Sequence, residues 1–250
     1  MTFLERILTA RREAVERDMS LPGTELSPVR DFRGALAAPG MSLIGEIKRA
    51  SPSRGDLNPL LDPAALASAY EKGGARAVSV LVEPEFFKGS EDDLRRAHEA
   101  TQIPVLWKDF VISPAQVIRA RYVGADAILV IVRILDDTTL LMILRLAGEL
   151  ELCPLVEVFD ETDLERALAA GADVVGVNHR DLETFEEDTT ATKRLRPLVP
   201  DGVVVVAESA ISSRADVADL EAIGVDAILV GEALVRSGDP AGKIRELLGA

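Results

Sequence analysis

The 250-residue chain carries 28 Lys and Arg against 42 Asp and Glu, a formal net charge of -14. Its mean field repels phosphate, which argues against nucleic acid or an anionic membrane as a partner; an anionic ligand would need a local cationic pocket. Hydrophobic residues make up 48% and aromatics 4%, so the core of one large domain must be built from Ala, Val, Ile and Leu. The single Cys153 rules out an internal disulfide framework and suits a reducing, cytoplasmic compartment. The start Met1-Thr2-Phe3-Leu4-Glu5-Arg6 is too charged for a signal peptide, and Arg133 breaks the long apolar run that begins near Ala127.

Residues 2–17 read as a helix, because Thr2 and Glu5 can form a capping box and Leu4, Ile7, Leu8 and Val15 recur near helical spacing. Pro22, Gly23, Pro28, Pro39 and Gly40 mark residues 18–42 as an irregular connection with one short helix near 31–37, a lid or cover rather than a domain. The expected organisation is an N-terminal helical extension, 1–42, covering a catalytic barrel formed by 43–250.

From Leu43 the chain alternates. Strand-length apolar runs lie near 43–48, 77–82, 104–108, 127–132, 154–159, 173–178, 203–208 and 226–230. Helical segments lie near 63–73, 91–100, 114–122, 137–150, 161–170, 191–196, 213–223 and 240–249. Eight such units predict an α/β fold, a TIM (β/α)8 barrel. Gly124-Ala125-Asp126-Ala127-Ile128-Leu129-Val130 returns as Gly224-Val225-Asp226-Ala227-Ile228-Leu229-Val230, as two half-barrels would give. An open doubly wound sheet would need a Gly-x-Gly-x-x-Gly turn after the first strand, and the sequence has none there.

A barrel keeps its chemistry at the strand ends. There the chain offers Glu46, Lys48, Lys108, Glu157, Asn178, Glu208 and Gly231, and period-2 alternation turns the polar groups inward. A purely structural ion network is the bland reading, but buried ion pairs are often no more stabilising than apolar replacements, whereas a tuned site needs such proximity. Ser209 and Gly231, after the seventh and eighth strands, suit phosphate binding through backbone N–H groups. Lys48, Arg49, Arg54, Lys108 and Arg180 gather cations on the same rim, which implies an anionic substrate.

Ile44-Gly45-Glu46-Ile47-Lys48-Arg49-Ala50-Ser51-Pro52-Ser53 resembles the signature of the indole-3-glycerol-phosphate synthase family. The resemblance continues through Lys108-Asp109-Phe110, Leu155-Val156-Glu157-Val158, Val177-Asn178-His179-Arg180-Asp181-Leu182 and Ala207-Glu208-Ser209, and covers nearly the whole chain. It implies ring closure of 1-(2-carboxyphenylamino)-1-deoxyribulose 5-phosphate with loss of carbon dioxide and water, in a monomer that needs no cofactor or metal. It further implies that Lys108 is the general acid, its proton affinity lowered by burial and by Lys48. Lys48 and Arg180 would hold the substrate carboxylate, Lys48 and Glu46 would serve dehydration, and Glu157 would stabilise developing positive charge. Asn178 and Glu208 would position hydroxyls and the lysines. Ser51, Ser209, Ala210, Gly231 and Glu232 would surround the phosphate, with Phe110 and Leu182 also binding substrate.

Two departures stand out. Ala210 replaces the family's usual glycine, which removes freedom at positive φ, and Glu232 adds a negative charge beside the phosphate site. Among the remaining residues, His98 reads as solvated, His179 as a rim or outer residue, Cys153 as a buried filler at the strand-start end, and Trp107 as packed under a helix. Rival readings are phosphoribosylanthranilate isomerase, for which Cys153 lies at the wrong end; a lysine Schiff-base aldolase; and a phospho-ligand binding barrel without activity.

Overall fold

The computed structural model describes residues 1–17 and 26–250; Pro22 and Gly23 lie outside them. Eight parallel strands form the core of the fold: β1 (Ser42–Ile47), β2 (Ala77–Leu81), β3 (Val105–Lys108), β4 (Ala127–Ile131), β5 (Cys153–Val158), β6 (Val174–Asn178), β7 (Val204–Glu208) and β8 (Ala227–Val230). They close into a barrel in which each strand pairs with its sequence neighbours and β8 pairs with β1. This is the TIM (β/α)8 fold expected from the alternation.

The helices are α1 (Phe3–Arg17), α2 (Phe32–Leu36), α3 (Pro63–Gly73), α4 (Glu91–Glu99), α5 (Pro114–Val123), α6 (Asp137–Glu149), α7 (Glu161–Ala169), α8 (Ala191–Leu195), α9 (Arg214–Ala222), α10 (Glu232–Val235) and α11 (Pro240–Leu248). Their starts explain part of the acidic composition. Asp62, Asp136, Asp160 and Asp239 each cap a helix by accepting a backbone N–H, and Ser213 with Asp216 forms a capping box at α9. The sequence reading did not include α10.

Strand alternation separates two apolar layers. Ile44, Leu106, Leu129, Leu155, Val174, Val206 and Leu229 fill the barrel interior, while Ile47, Val80, Trp107, Val130, Val156, Val177 and Val205 meet the surrounding helices. Trp107 therefore packs outward, as its parity opposite Lys108 required.

The internal repeat is a hydrogen-bonding device. Asp126 Oδ2 accepts the Val105 N–H at 2.8 Å, and Asp226 Oδ2 accepts the Val205 N–H at the same distance. The Asp126 carbonyl accepts from Cys153 and the Asp226 carbonyl from Ser42, so each aspartate ties three strand starts together. His98 lies against Asp126 with its side chain 15% exposed, so it is lodged between helix and sheet and not solvated. Burial lowers its proton affinity.

The segment after the undescribed residues covers the barrel at its strand-start end. Phe32 and Leu36 are buried there with interior residues, Arg30 donates to the carbonyls of His98 and Ile103, and Arg33 pairs with Asp173. α2 is thus a plug on the side away from the strand ends that carry the charges. Cys153 is half-buried at this same end, where burial pushes its thiol up to about 12, as an inert filler would be.

Replacing Asp226 by alanine strands the Val205 N–H and should cost about 1–3 kcal/mol of unfolding free energy. Asp126→Ala should cost more, since Asp126 also accepts the Arg30 N–H. Urea unfolding midpoints of the two variants give the comparison.

Candidate active site

The strand ends on the opposite side of the barrel enclose a cavity of about 450 Å³. Glu46, Lys48, Ser51, Lys108, Phe110, Glu157, Asn178, Arg180, Leu182, Ser209, Ala210, Gly231 and Glu232 all line it, and Glu208 lies beneath, joined to Lys108. The structure therefore brings every residue expected to act in catalysis or substrate binding into one place; Arg49, expected among the rim cations, instead pairs with Asp93 outside the cavity.

The floor is a buried chain of charges. Lys108 Nζ lies 2.9 Å from Glu208 Oε2 and 3.6 Å from Glu46 Oε2, and Lys48 pairs with the other oxygen of Glu46. Burial alone would lower the Lys108 proton affinity, but Glu208, then Glu46 and Glu157, reverse the sign and hold it above the ordinary lysine value. The expected lowering by Lys48 is thus overturned: Lys48 turns to Glu46, and Lys108 is ringed by carboxylates. Burial also works to raise Glu46, yet Lys48 and Lys108 outweigh it and hold that carboxyl below its ordinary value.

Glu157 is the carboxylate without a lysine of its own. Burial and the charge of Glu208 push it up to about 8, against the opposing pull of Lys108 and a hydrogen bond from Asn178. Asn178 is oriented for that role because its Oδ1 already accepts from the Ser209 hydroxyl at 2.8 Å and the Arg180 N–H at 3.0 Å. Its amide donors are left to face inward.

On the rim, Ser209 and Ala210 both adopt positive φ, 69° and 56°. Ala210 thus takes the left-handed conformation that glycine would supply, at a cost of roughly 1 kcal/mol. Beneath this loop His179 is buried and, of the rim and outer positions expected for it, takes the outer one, against Thr192 of α8. Its Nδ1 donates to the Ser209 carbonyl at 3.1 Å and its Nε2 accepts from the Thr192 hydroxyl at 2.6 Å. Burial lowers its proton affinity, so it braces the loop as a neutral ring. The charge of Glu232 is shared between Arg54 at 3.6 Å and Arg236 at 3.4 Å. Arg180 is paired with Glu187.

Sequence reasoning missed several contributors. Phe3 from α1 lines the cavity and packs edge-to-face on Phe86 and tilted on Phe185, with ring centroids 5.3 and 5.1 Å away, and Phe87 joins the same wall. The adjacent pair Phe86-Phe87, in a chain so poor in aromatics, was an available signal. α1 lies over this end, its start capped by the Thr2–Glu5 box and its body held by Arg11 on the buried Asp109. Arg133, read earlier only as a break in an apolar run, reaches Asp160, Asp163 and Asp181 from above the Phe159 ring. Asp181 in turn accepts the Glu183 and Thr184 N–H groups and shapes the loop that carries Leu182.

Among the described residues, no group of three His, Cys, Asp or Glu is placed to hold a metal ion, and no helix is long and apolar enough to cross a membrane.

A family model described as indole-3-glycerol phosphate synthase matches residues 4–247. The chain belongs to the indole-3-glycerol phosphate synthase family. It is 50% identical over 220 residues to the indole-3-glycerol phosphate synthase of Mycobacteroides abscessus, covering 88% of this chain and 81% of that protein. With the synthase of Parafrankia sp. it shares 49% identity over 258 residues, covering 100% and 96%. Among solved structures, a 3-hexulose-6-phosphate synthase superposes with a TM-score of 0.67 at 16% identity, over 84% of this chain and 99% of that one, a likeness of fold alone.

Because Glu157 titrates near 8 when folded and near its ordinary 4.5 when unfolded, the native state binds the extra proton between those values. Stability must fall as pH rises through that window. Glu157→Gln should melt at higher temperature than the native protein above the window and match it below, as calorimetry across pH will register.

Proposed function

We propose that this protein is an indole-3-glycerol-phosphate synthase, a carboxy-lyase of tryptophan biosynthesis acting in the cytoplasm on 1-(2-carboxyphenylamino)-1-deoxyribulose 5-phosphate. The observation that carries the reading is the convergence of two lysines and three carboxylates on one cavity whose rim bears further cations. Such a substrate brings a phosphate, a carboxylate and a ketone, and the cavity has a partner for each.

The ring carbon bearing the carboxylate attacks the ketone carbon, and the ketone oxygen takes a proton from Lys108 as it becomes a hydroxyl. The high proton affinity of Lys108 does not forbid this step. A full alkoxide resembles hydroxide, a far stronger base than a lysine amine, so it still draws the proton, and the lysine is fully charged beforehand. The bond to the carboxylate then breaks, releasing carbon dioxide and returning its electron pair to the ring. Loss of the new hydroxyl as water, with a proton from the neighbouring carbon, completes the indole; Lys48 and Glu46 are the acid and base of that step.

Glu157, which holds a proton near neutrality in the free protein, faces the positive charge that forms on the ring nitrogen during attack and stabilises it on giving up that proton, and Asn178 orients it. Lys48 and Arg180 receive the substrate carboxylate by exchanging it for their present partners, Glu46 and Glu187. Ser51, Ser209, Ala210 and Gly231 offer donors to the phosphate, with Arg54 and Arg236 nearby and Glu232 neutralised between them. Phe110 and Leu182 contribute apolar wall for the aromatic ring.

Mixing the purified protein with this substrate should raise indole fluorescence, and Lys108→Ala should suppress the rate by roughly 10²–10⁴-fold with little change in KM. A Lys108→Ala variant with near-native turnover overturns the assignment. Arg180→Ala should act mainly on KM, since carboxylate capture operates before the transition state as well as in it.

A further inference from the structure

Gly176 lies in the middle of β6, in register with Glu157 on β5, and shares the inward face with Val174 and Asn178. It is not among the glycines with positive φ, so its backbone does not require glycine. A glycine inside a strand weakens that strand and often marks a close approach by another group. The approaching group here is Glu208. A Cβ on Gly176 would overlap Glu208 Oε1 and would come within 3.2 Å of Leu155 Cδ1. That carboxylate oxygen is buried and takes no N–H donor among the described residues, while its twin, Oε2, accepts from Lys108, and the protonated Glu157 is hydrogen-bonded to the same carboxylate.

We propose that Gly176 is a positioning residue, whose missing side chain forms the seat that holds the Glu208 carboxylate against Lys108 and beside Glu157. The same arrangement recurs two strands on. A Cβ on Gly231, which follows β8, would overlap Glu46 Oε1 on the neighbouring β1, just as Gly176 of β6 meets Glu208 of the neighbouring β7. Both carboxylates that hold Lys108 are thus received by a glycine from the adjacent strand.

The overlapping atom is the free end of a flexible side chain, so an alanine at 176 is accommodated by moving Glu208 rather than by opening the barrel. A displacement of about 1 Å in a reacting constellation costs roughly 10²-fold in rate. The inference rests on the reading of Lys108 and Glu208 as reaction machinery, so its test has one arm that does not depend on turnover.

That arm is the titration of the Glu157 carboxyl followed by carbon NMR, with Glu208, Lys108 and Asn178 as the groups that face it. Gly176→Ala should shift this titration, whereas Gly148→Ala, whose added methyl would meet open space, should not. In the turnover assay Gly176→Ala should lose about 10²-fold in kcat with KM nearly unchanged. Glu208→Asp, shorter by one methylene, should impair the native protein yet improve Gly176→Ala by about tenfold, because it vacates the space the new methyl needs.

An unmoved Glu157 titration, an unchanged kcat, or simply additive losses in the double variant would each overturn the proposal. A native protein that binds the substrate without converting it would remove the functional reading, and the titration would still decide the seat. Should Gly176→Ala fail to fold, recovery of folding on adding Glu208→Asp assigns the overlap to Glu208; continued failure assigns it to Leu155 and overturns the proposal.

Discussion

A lysine ammonium buried inside a barrel is the constraint around which the site is arranged. Lys108 points into a space walled by apolar strands, where a lone charge would be untenable. Glu208 and Glu46 compensate it, and Glu46 is shared with Lys48. The inventory is then two cations and three carboxylates. One carboxylate has no cation left, and it holds a proton instead: Glu157, with its proton affinity near neutrality, is the remainder of that count. The poised group of the site is thus a consequence of charge balance in a dry interior, and a third lysine would abolish it.

The same balance governs how an anion enters. Lys48, Arg180, Arg54 and Arg236 are all engaged with carboxylates of the protein. A ligand therefore trades places with Glu46, Glu187 or Glu232 rather than meeting free cations. In a chain of net charge -14, this keeps the rim cations positioned and close to neutral until a better anion arrives. On the proposed function, discrimination comes from that exchange, since a weak or misplaced anion does not compensate for the broken pairs.

The strand pattern was legible because it rests on local rules. Runs of Val, Ile and Leu at strand length, with glycine and capping residues between them, located all eight strands to within a residue or two of those observed. The inward set at the strand ends followed from alternation alone. Quantities set by distance were not legible. Spacing placed Lys48 and Lys108 at one mouth, yet only geometry reveals that Glu46 stands between them, and this reverses the expected effect on Lys108. His98 was misjudged for a related reason, since its burial comes from Asp126, distant in the chain, and the choice between rim and outer side for His179 rests on Thr192 and Ser209 across an element. Phe3 and Arg133 act through contacts that no local pattern announces.

The duplicated aspartates at the strand starts have a counterpart at the strand ends. Lys108 and Glu208 stand 100 residues apart, the same offset that relates Asp126 to Asp226, so they occupy equivalent places in the two halves. The frame is symmetric and the charges on it are opposite. Two copies of either half, assembled as a pair around the barrel axis, would confront lysine with lysine or glutamate with glutamate at the position where an ion pair now closes to 2.9 Å. Joining the halves in a single chain lets them differ at this one point, and the electrostatics of the mouth require that they do.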